Sequence, residues 1–401
     1  MKKLSLVLCA CAILQVLTGC TGRNPSSSFD REKIEASLVD GNTMFALDIF
    51  KQINKEDKEK SIFISPFSIS TALTMAYEGA GSTTKESMGK ALGYSGIDTD
   101  KLNESYKNLI RYQKQADNKV QINISNSLWV RDGFNVKEEY LAVNKDVFDA
   151  KISSLDFSKQ DAADRINQWI SDSTKGKIEK MIEPPISSEA MMYLINAIYF
   201  KADWTERFDK KTTFSTKFHK EKGDAAEIMM MNRKGKIEYG EGNEFKAVRI
   251  PYGSGKTSMY CILPSQGTSV NNFIEKMNLN KWKSIKESVK ETENVIIQIP
   301  RFKLEYGLKE LKDSLTALGM GEAFSGKADF SGIGDVFISK VLHKAVIEVN
   351  EDGSEASSAT VVEMRKGIKE PTSFIANRPF VFVIADDETN TILFMGKYYG
   401  T

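Results

Sequence analysis

The chain has 401 residues, 41% apolar and 27% charged, enough to bury a sizeable core as one large domain or two. Its 55 Lys+Arg against 54 Asp+Glu give a formal net charge of +1, which becomes −1 (+1 − 2) once Lys2 and Lys3 are removed. A near-neutral body argues against nucleic acid as a partner, and no pair among the four cysteines suggests a metal.

The N-terminus reads as a processing segment. Lys2 and Lys3 make a basic start, and residues 4–17 form an apolar run too short to span a membrane comfortably. Leu17, Thr18, Gly19 and Cys20 resemble a bacterial lipobox, in which Cys20 is lipidated and becomes the new N-terminus. The alternative is an ordinary secretory signal with a chance cysteine. The expected organisation is a lipoprotein signal peptide over 1–19, a flexible tether over 20–28 and a single domain over 29–401. Acyl chains contribute about 0.8 kcal/mol per buried methylene, so several would hold the exported chain to a bacterial membrane, at the outer membrane or cell surface. With Cys20 lipidated no internal disulfide is available, and Cys261, inside MYCILP, is expected as a buried core thiol.

Helical periodicity covers 29–53 (Ile34, Leu38, Phe45 and Ile49, weakened at Gly41), 68–78 and 84–92, with Thr83 or Thr84 as cap. It continues over 101–115, 137–148 and 161–174, the last with Ile166, Trp169 and Ile170 on one side. Strand patterns cover 120–130, 191–200, 248–252, 258–263, 294–304, 336–349, 380–385 and 391–398. Helices early and strands late make the class α+β, not an alternating parallel repeat.

Few residues point to catalysis. Gly255, Lys256 and Thr257 echo the end of a phosphate loop, but Ile250 stands where its first glycine belongs. The flanking strands make PYGSGKTS a hairpin turn. His219, in TKFHK, reads as part of a solvated strand or turn, and His343, in KVLHKAVIEV, as a hydrogen-bonded core histidine. Neither has a catalytic or zinc-ligand spacing. No catalytic residue, metal ligand or cofactor is assigned, and Asp209, Lys210 and Lys211 read as a solvated face of mixed sign.

The most informative stretch is EVNEDGSEASSATVVEMRKG, residues 348–367. Ser354, Ala356, Ser358, Thr360 and Val362 occupy alternate positions and would share one face of a strand. That face is small and uncharged, able to slide beneath a covering helix, while Glu355 and Glu363 fall on the opposite, solvent-side set. Gly353 precedes the run, where a backbone must bend. Met364, Arg365 and Lys366 close it with a site suited to a trypsin-like protease. Composition alone favours a plain solvated loop.

The flanking sequence reverses that preference. VLHKAVIEVNEDGSEASSAT resembles the proximal hinge of the serpin family, and FIANRPFVFVIADDETNTILFMGKYYG resembles its C-terminal strands. SIFISPFSISTALTMAYEGAGSTTKESMGKAL from Ser61, NAIYFKADWTERF from Asn196 and MNRKGKIEY from Met231 resemble further serpin segments, all in family order. The resemblance runs from near residue 40 to the C-terminus. It implies a serpin fold: several helices around a large mixed central sheet, smaller antiparallel sheets, and an exposed reactive-centre loop at about 353–372.

The resemblance also implies an inhibitor, not an enzyme. A serine protease attacks the loop and forms an acyl-enzyme; the cut loop then inserts as a new central strand and drags the tethered protease to the far pole. Insertion of about 15 residues at roughly 3.3 Å each spans about 50 Å, and the uncut fold is a kinetic trap. The implied partners are target proteases in covalent complex and the membrane through lipid on Cys20, with the body a monomer. A non-inhibitory serpin-fold binding protein is the rival reading, and a lipoprotein hydrolase or solute-binding component a third.

Individual positions carry over from the family pattern. Glu351 matches the acidic hinge residue, followed by Gly353, Ser354, Glu355, Ala356, Ser357, Ser358 and Thr360; Ser357 and Ser358 depart from an alanine-rich hinge. Ser65 and Ser68 match the shutter beneath the opening sheet, with Asn196 and His343 as hydrogen-bonding partners, and Trp204 matches the aromatic where the loop enters. Each also reads as an ordinary satisfied core residue. The family's usual spacing from Glu351 places Gly367 before the cut; one register shorter gives Lys366, two shorter Arg365. Lys and Arg reach an acidic specificity pocket directly, so Lys366–Gly367 is the expected bond, then Arg365–Lys366. Val362 and Met364 would serve elastase-like or cysteine proteases in other registers.

Overall fold

The computed structural model describes residues 30–134, 136–353 and 372–400. The N-terminal segment with Cys20, and the stretch holding Ser354, Glu355, Ala356, Ser357, Ser358, Thr360, Val362, Met364, Arg365, Lys366 and Gly367, lie outside the described residues. Among the described residues, no helix is long and apolar enough to cross a membrane.

The first helix, α1 (Ala36–Glu56), runs unbroken through Gly41. A Cβ on Gly41 would stand 2.5 Å from the Gly93 carbonyl oxygen, so this glycine permits two backbones to touch and does not end the helix. Ser65 caps α2 (Pro66–Glu78) by accepting the Ser68 N–H, and Pro66 supplies a preset first turn. The cap of α3 (Ser82–Leu92) is Gly81, not Thr83 or Thr84. Those two hydroxyls donate instead to Glu322 at 2.7 and 2.6 Å. Asp98 caps α4 (Thr99–Gln115), followed by α5 (Glu138–Phe148) and α6 (Ala162–Ser173). Later come α7 (Val270–Glu275), α8 (Leu279–Ser288) and α9 (Lys312–Leu315), too short for their periodicity to show in the sequence.

In chain order the strands begin with β1 (Ile62–Ile64), β2 (Val120–Arg131), β3 (Lys151–Leu155) and β4 (Met192–Ala202). Then follow β5 (Phe214–Phe218), β6 (Ala226–Gly242), β7 (Phe245–Tyr252), β8 (Thr257–Pro264) and β9 (Lys290–Pro300). The last are β10 (Phe302–Glu305), β11 (Lys309–Glu310), β12 (Ile338–Val349), β13 (Thr372–Ile375), β14 (Phe380–Asp386) and β15 (Thr391–Tyr398). They form two sheets. The mixed, six-stranded one runs β10-β12-β4-β2-β3, with β11 also on β12. The other runs β1-β15-β14-β8-β7-β6-β9-β13, with β5 also on β6, and is antiparallel except where β13 meets β9.

The sequence reads 294–304 as one strand, but the chain breaks at Arg301, whose N–H donates to the Met229 carbonyl. Beyond that residue β10 leaves for the six-stranded sheet and pairs with β12. Strand β6 is long because it serves two groups. Its first part pairs with β5 and β9, its last with β7, and the register slips between Gly235 and Ile237. PYGSGKTS is the turn of the β7–β8 hairpin, with Gly253 and Gly255 at φ +53° and +91°. Cys261 is buried within β8, and burial pushes its thiol pKa well up.

The main core lies between the two sheets and α1 to α5. A second, smaller core lies on the other face of the six-stranded sheet, where Ile166 and Ile170 of α6 cover Trp129, Tyr193, Ile195, Ala197 and Leu342. The sheet thus has an inner face on the main core and an outer face under α6.

Candidate functional site

The candidate site lies along the junction of β4 and β12. These two strands pair directly and in parallel, from Met192 opposite Ile338 to Tyr199 opposite Val346. The ladder is closed along this line, with His343 opposite Asn196 at its middle.

Four of the expected residues meet there, on the inner face. Ser65 donates its N–H to His343 Nε2 at 3.1 Å and its hydroxyl to the Leu393 carbonyl at 2.6 Å. Because Nε2 accepts, the ring proton sits on Nδ1, which donates to Asn196 Oδ1 at 2.5 Å. The Asn196 amide nitrogen donates to the Ser68 hydroxyl, to the Ser68 carbonyl at 3.2 Å and to Asn126 Oδ1 at 2.5 Å. Burial pushes the His343 pKa down to about 3, which keeps the ring neutral and Nε2 free to accept. Asn126 escaped the sequence reading. It stands directly opposite Asn196 on β2, and an amide on the alternate set otherwise filled by Val120, Ile122, Ile124, Leu128 and Val130 was the signal for it.

At the top of the junction the chain leaving β12 folds over the segment after β4. The Glu351 carbonyl accepts the Phe208 N–H at 2.9 Å, and the Asp352 carbonyl accepts the Trp204 N–H at 3.0 Å. Trp204 lies flat on Tyr252, with ring centroids 4.2 Å apart, and donates its indole N–H to the Asn350 carbonyl at 2.9 Å. Glu351 is only 2% exposed. Its carboxylate accepts the Thr213 hydroxyl at 2.8 Å and faces Arg301 at 3.6 Å. Asp352 pairs with Lys210 at 2.5 Å. The 209–211 cluster is exposed, as the sequence reading expects, and Lys210 reaches from it to Asp352. Thr213, Arg301 and Lys210 lie far from Glu351 in sequence, and no local pattern marks them.

Gly353 is the last described residue before the loop. It forms an isolated antiparallel bridge with Asp203, at φ +112°. A Cβ there would stand 2.3 Å from the Trp204 nitrogen and 2.5 Å from the Ala202 carbonyl oxygen, so close passage of two backbone segments requires glycine.

His219 is exposed and takes no part in this arrangement. Among the described residues no group of His, Cys, Asp or Glu is arranged to hold a metal ion. A cavity of about 610 Å³ between α1 and α8 shares no residue with the junction.

Comparison with known proteins agrees with this arrangement. The family model described as serpin (serine protease inhibitor) matches residues 40–400. An uncharacterized serpin-like protein of Methanosarcina acetivorans is 32% identical, with 99% of this chain and 98% of that one covered. A leukocyte elastase inhibitor of Bos taurus is 34% identical, with 90% and 98% covered. The native-state crystal structure of the thermophilic serpin tengpin superposes with a TM-score of 0.84 at 31% identity, over 92% of this chain and 95% of that one. The fold, the closed six-stranded sheet and these relationships place the chain in the serpin family.

Proposed function

We propose that this serpin is a suicide-substrate inhibitor of serine proteases, trypsin-like ones first, that works by inserting its cut loop between β4 and β12. The observation that carries the reading is the Gly353–Asp203 bridge at the mouth of a closed parallel pair. A strand continuing from that bridge runs antiparallel to β4, in a register the bridge fixes. Ser354 then falls opposite Ala202, Ala356 opposite Phe200, Ser358 opposite Ile198, Thr360 opposite Asn196 and Val362 opposite Leu194. Met364 meets Met192, the first residue of β4. Arg365, Lys366 and Gly367 then emerge past the sheet, so an enzyme acylated there clears its far edge.

This register revises one expectation. Directly opposed residues point to the same face. Ala202, Phe200, Ile198 and Leu194 belong to the main core, so the small set packs inward there and not beneath α6. Glu355 and Glu363 go to the α6 side, where Glu355 meets Lys201 as an opposite-charge cross-strand pair. Small side chains at 354, 356 and 358 favour fast insertion over hydrolysis of the acyl-enzyme.

The test is incubation with trypsin and with elastase, a denaturing gel, and sequencing of the released C-terminal peptide. A covalent complex that survives denaturation, with a new N-terminus at Gly367 or Lys366, supports the reading. Clean cleavage without complex supports the non-inhibitory serpin-fold binding protein instead. We infer further that Cys20 is lipidated and holds the exported protein to a membrane, on the strength of the basic start, the short apolar run and the Leu17–Cys20 quartet. Mass spectrometry of the mature N-terminus tests it: an unmodified Cys20, or a start elsewhere, overturns it.

A further inference from the structure

We propose that the turn at Asp132 and Gly133 is a site of backbone self-modification, where the native chain converts Asp132 to isoaspartate. The chemistry needs no partner but water. The Gly133 backbone nitrogen bonds to Asp132 Cγ, and the carboxyl hydroxyl leaves as water with the amide proton. The five-membered succinimide so formed then takes up one water. Opening at Cγ restores aspartate. Opening at the Asp132 main-chain carbonyl carbon breaks the original peptide bond and leaves the chain running through Cβ and Cγ. Nothing is oxidised or reduced, and no mass is gained or lost overall. Glycine after aspartate favours the closure, because no Cβ blocks the approach and the backbone can rotate into it.

Asp–Gly occurs three times in the sequence, at 40–41, 132–133 and 352–353, and the structure separates the three. Gly41 lies inside α1, where the helical ladder holds its N–H, and Asp40 pairs with Lys283 at 2.8 Å. Asp352 is buried and pairs with Lys210, while the Gly353 N–H donates to the Asn350 carbonyl at 3.2 Å. At both sites the groups that must join are engaged elsewhere. At the third they face each other: the Gly133 N–H donates to Asp132 Oδ1 at 3.0 Å, and Cγ is one covalent bond from that oxygen. The contact holds the two reactants together before reaction. Both residues are exposed, so water reaches the ring. A Cβ on Gly133, at φ +97°, would meet nothing within 4 Å, so the turn has room to reshape. The surroundings stay fixed. Arg131 and Asp132 donate their N–H groups to the carbonyls of Met191 and Leu155 at 2.8 and 3.0 Å, and the Arg131 guanidinium donates to the Ala190 carbonyl at 2.7 Å. These bonds precede the altered linkage, so β2 keeps its end and the added methylene falls in the turn before α5.

The experiment ages the full chain near neutral pH at physiological temperature, native and in urea, and digests it in mild acid so that no further isoaspartate forms. Isoaspartate at each site is counted by electron-transfer fragmentation, and in total by methyl uptake from S-adenosylmethionine with an L-isoaspartyl methyltransferase. In urea the three sites should react within about threefold of one another. In the native chain Asp132 should gain at least tenfold more isoaspartate than Asp40 or Asp352, by way of a transient species lighter by one water. Asp132→Glu, whose longer side chain would need a six-membered ring, should lose most of the methyl uptake with an unchanged thermal midpoint. The inference falls if native Asp132 gains no more than the other two sites, if its preference persists unchanged in urea, or if Asp132→Glu takes up methyl groups as wild type does. None of these readouts concerns the loop after Gly353, so the inhibitor reading stands or falls apart from them.

Discussion

Acidification should unlock the junction of β4 and β12 through His343, and the size of the effect follows from its hydrogen bonds. In the folded chain the ring is neutral, accepting from the Ser65 N–H and donating to Asn196. A second ring proton would turn Nε2 against the Ser65 N–H. The folded pKa of about 3 lies below the ordinary value of 6.5. Between those values an opened or unfolded chain binds the extra proton and the native chain does not. The stabilisation is therefore complete above pH 6.5 and drains away as pH falls toward 3. Each pH unit below 6.5 costs about 1.4 kcal/mol. At pH 5.0 the loss is about 2 kcal/mol, or roughly thirtyfold in the population of the open form. The assay is loss of native structure in urea at pH 7.5 and 5.0, for wild type and for His343→Gln, whose amide can accept and donate in the ring's place. Asp386 and Glu78, whose pKa values burial raises, change in the opposite sense but equally in both proteins, so they cancel in the difference. Wild type should lose about 2 kcal/mol more than the variant over that interval. An identical pH slope in the two would refute the account.

Ala356→Arg should leave the loop cleavable but abolish the covalent complex, because an arginine opposite Phe200 has no room in the main core; a retained complex on the gel would count against insertion. Cut at Lys366 or Arg365, the wild-type chain should melt well above the intact one, as calorimetry would show, and an unchanged midpoint would end the kinetic-trap idea. Gly353→Ala places a methyl 2.3 Å from the Trp204 nitrogen at φ +112°, which should cost about 1–3 kcal/mol and shift tryptophan emission as Trp204 leaves Tyr252. Lys397 is fully buried and donates to Asn54, Asn271 and the carbonyls of Asp57 and Lys58, so Lys397→Met should destabilise by about 3 kcal/mol at pH 7 in urea titration. Burial pulls the Lys397 pKa down to about 8 from an ordinary 10.5, so wild type should gain stability on that variant as pH rises from 8 toward 10.

Much of this molecule is legible where one residue's environment is set by its chain neighbours. The apolar runs of β4 and β15 and the mixed apolar and polar pattern of β12 announce strands, and Ile166 and Ile170 announce the buried stripe of α6. Gly41 misleads because the reason for it is Gly93, fifty-two positions on and just past the end of α3. Strand β6 escapes notice because Arg233, Lys234 and Lys236 interrupt it where it changes partners, and a strand shared between two groups need not alternate cleanly. At the junction, family resemblance points to Ser65, Ser68, Asn196, Trp204 and His343, and the structure supplies how they touch. Only three-dimensional packing shows that Arg301 and Thr213 hold Glu351, or that Lys210 reaches Asp352.

The bond between Asn196 and His343 is a polar stitch across a seam otherwise closed by backbone and hydrocarbon. To part the sheet is to unpick it, leaving a buried amide and imidazole with nothing to hold. In the proposed inserted register the residue beside Asn196 would be Thr360, whose hydroxyl can both donate and accept a hydrogen bond. On the inhibitor reading, the strand that parts the sheet would itself supply the hydrogen bonds it breaks, so opening would leave no buried polar group without a partner.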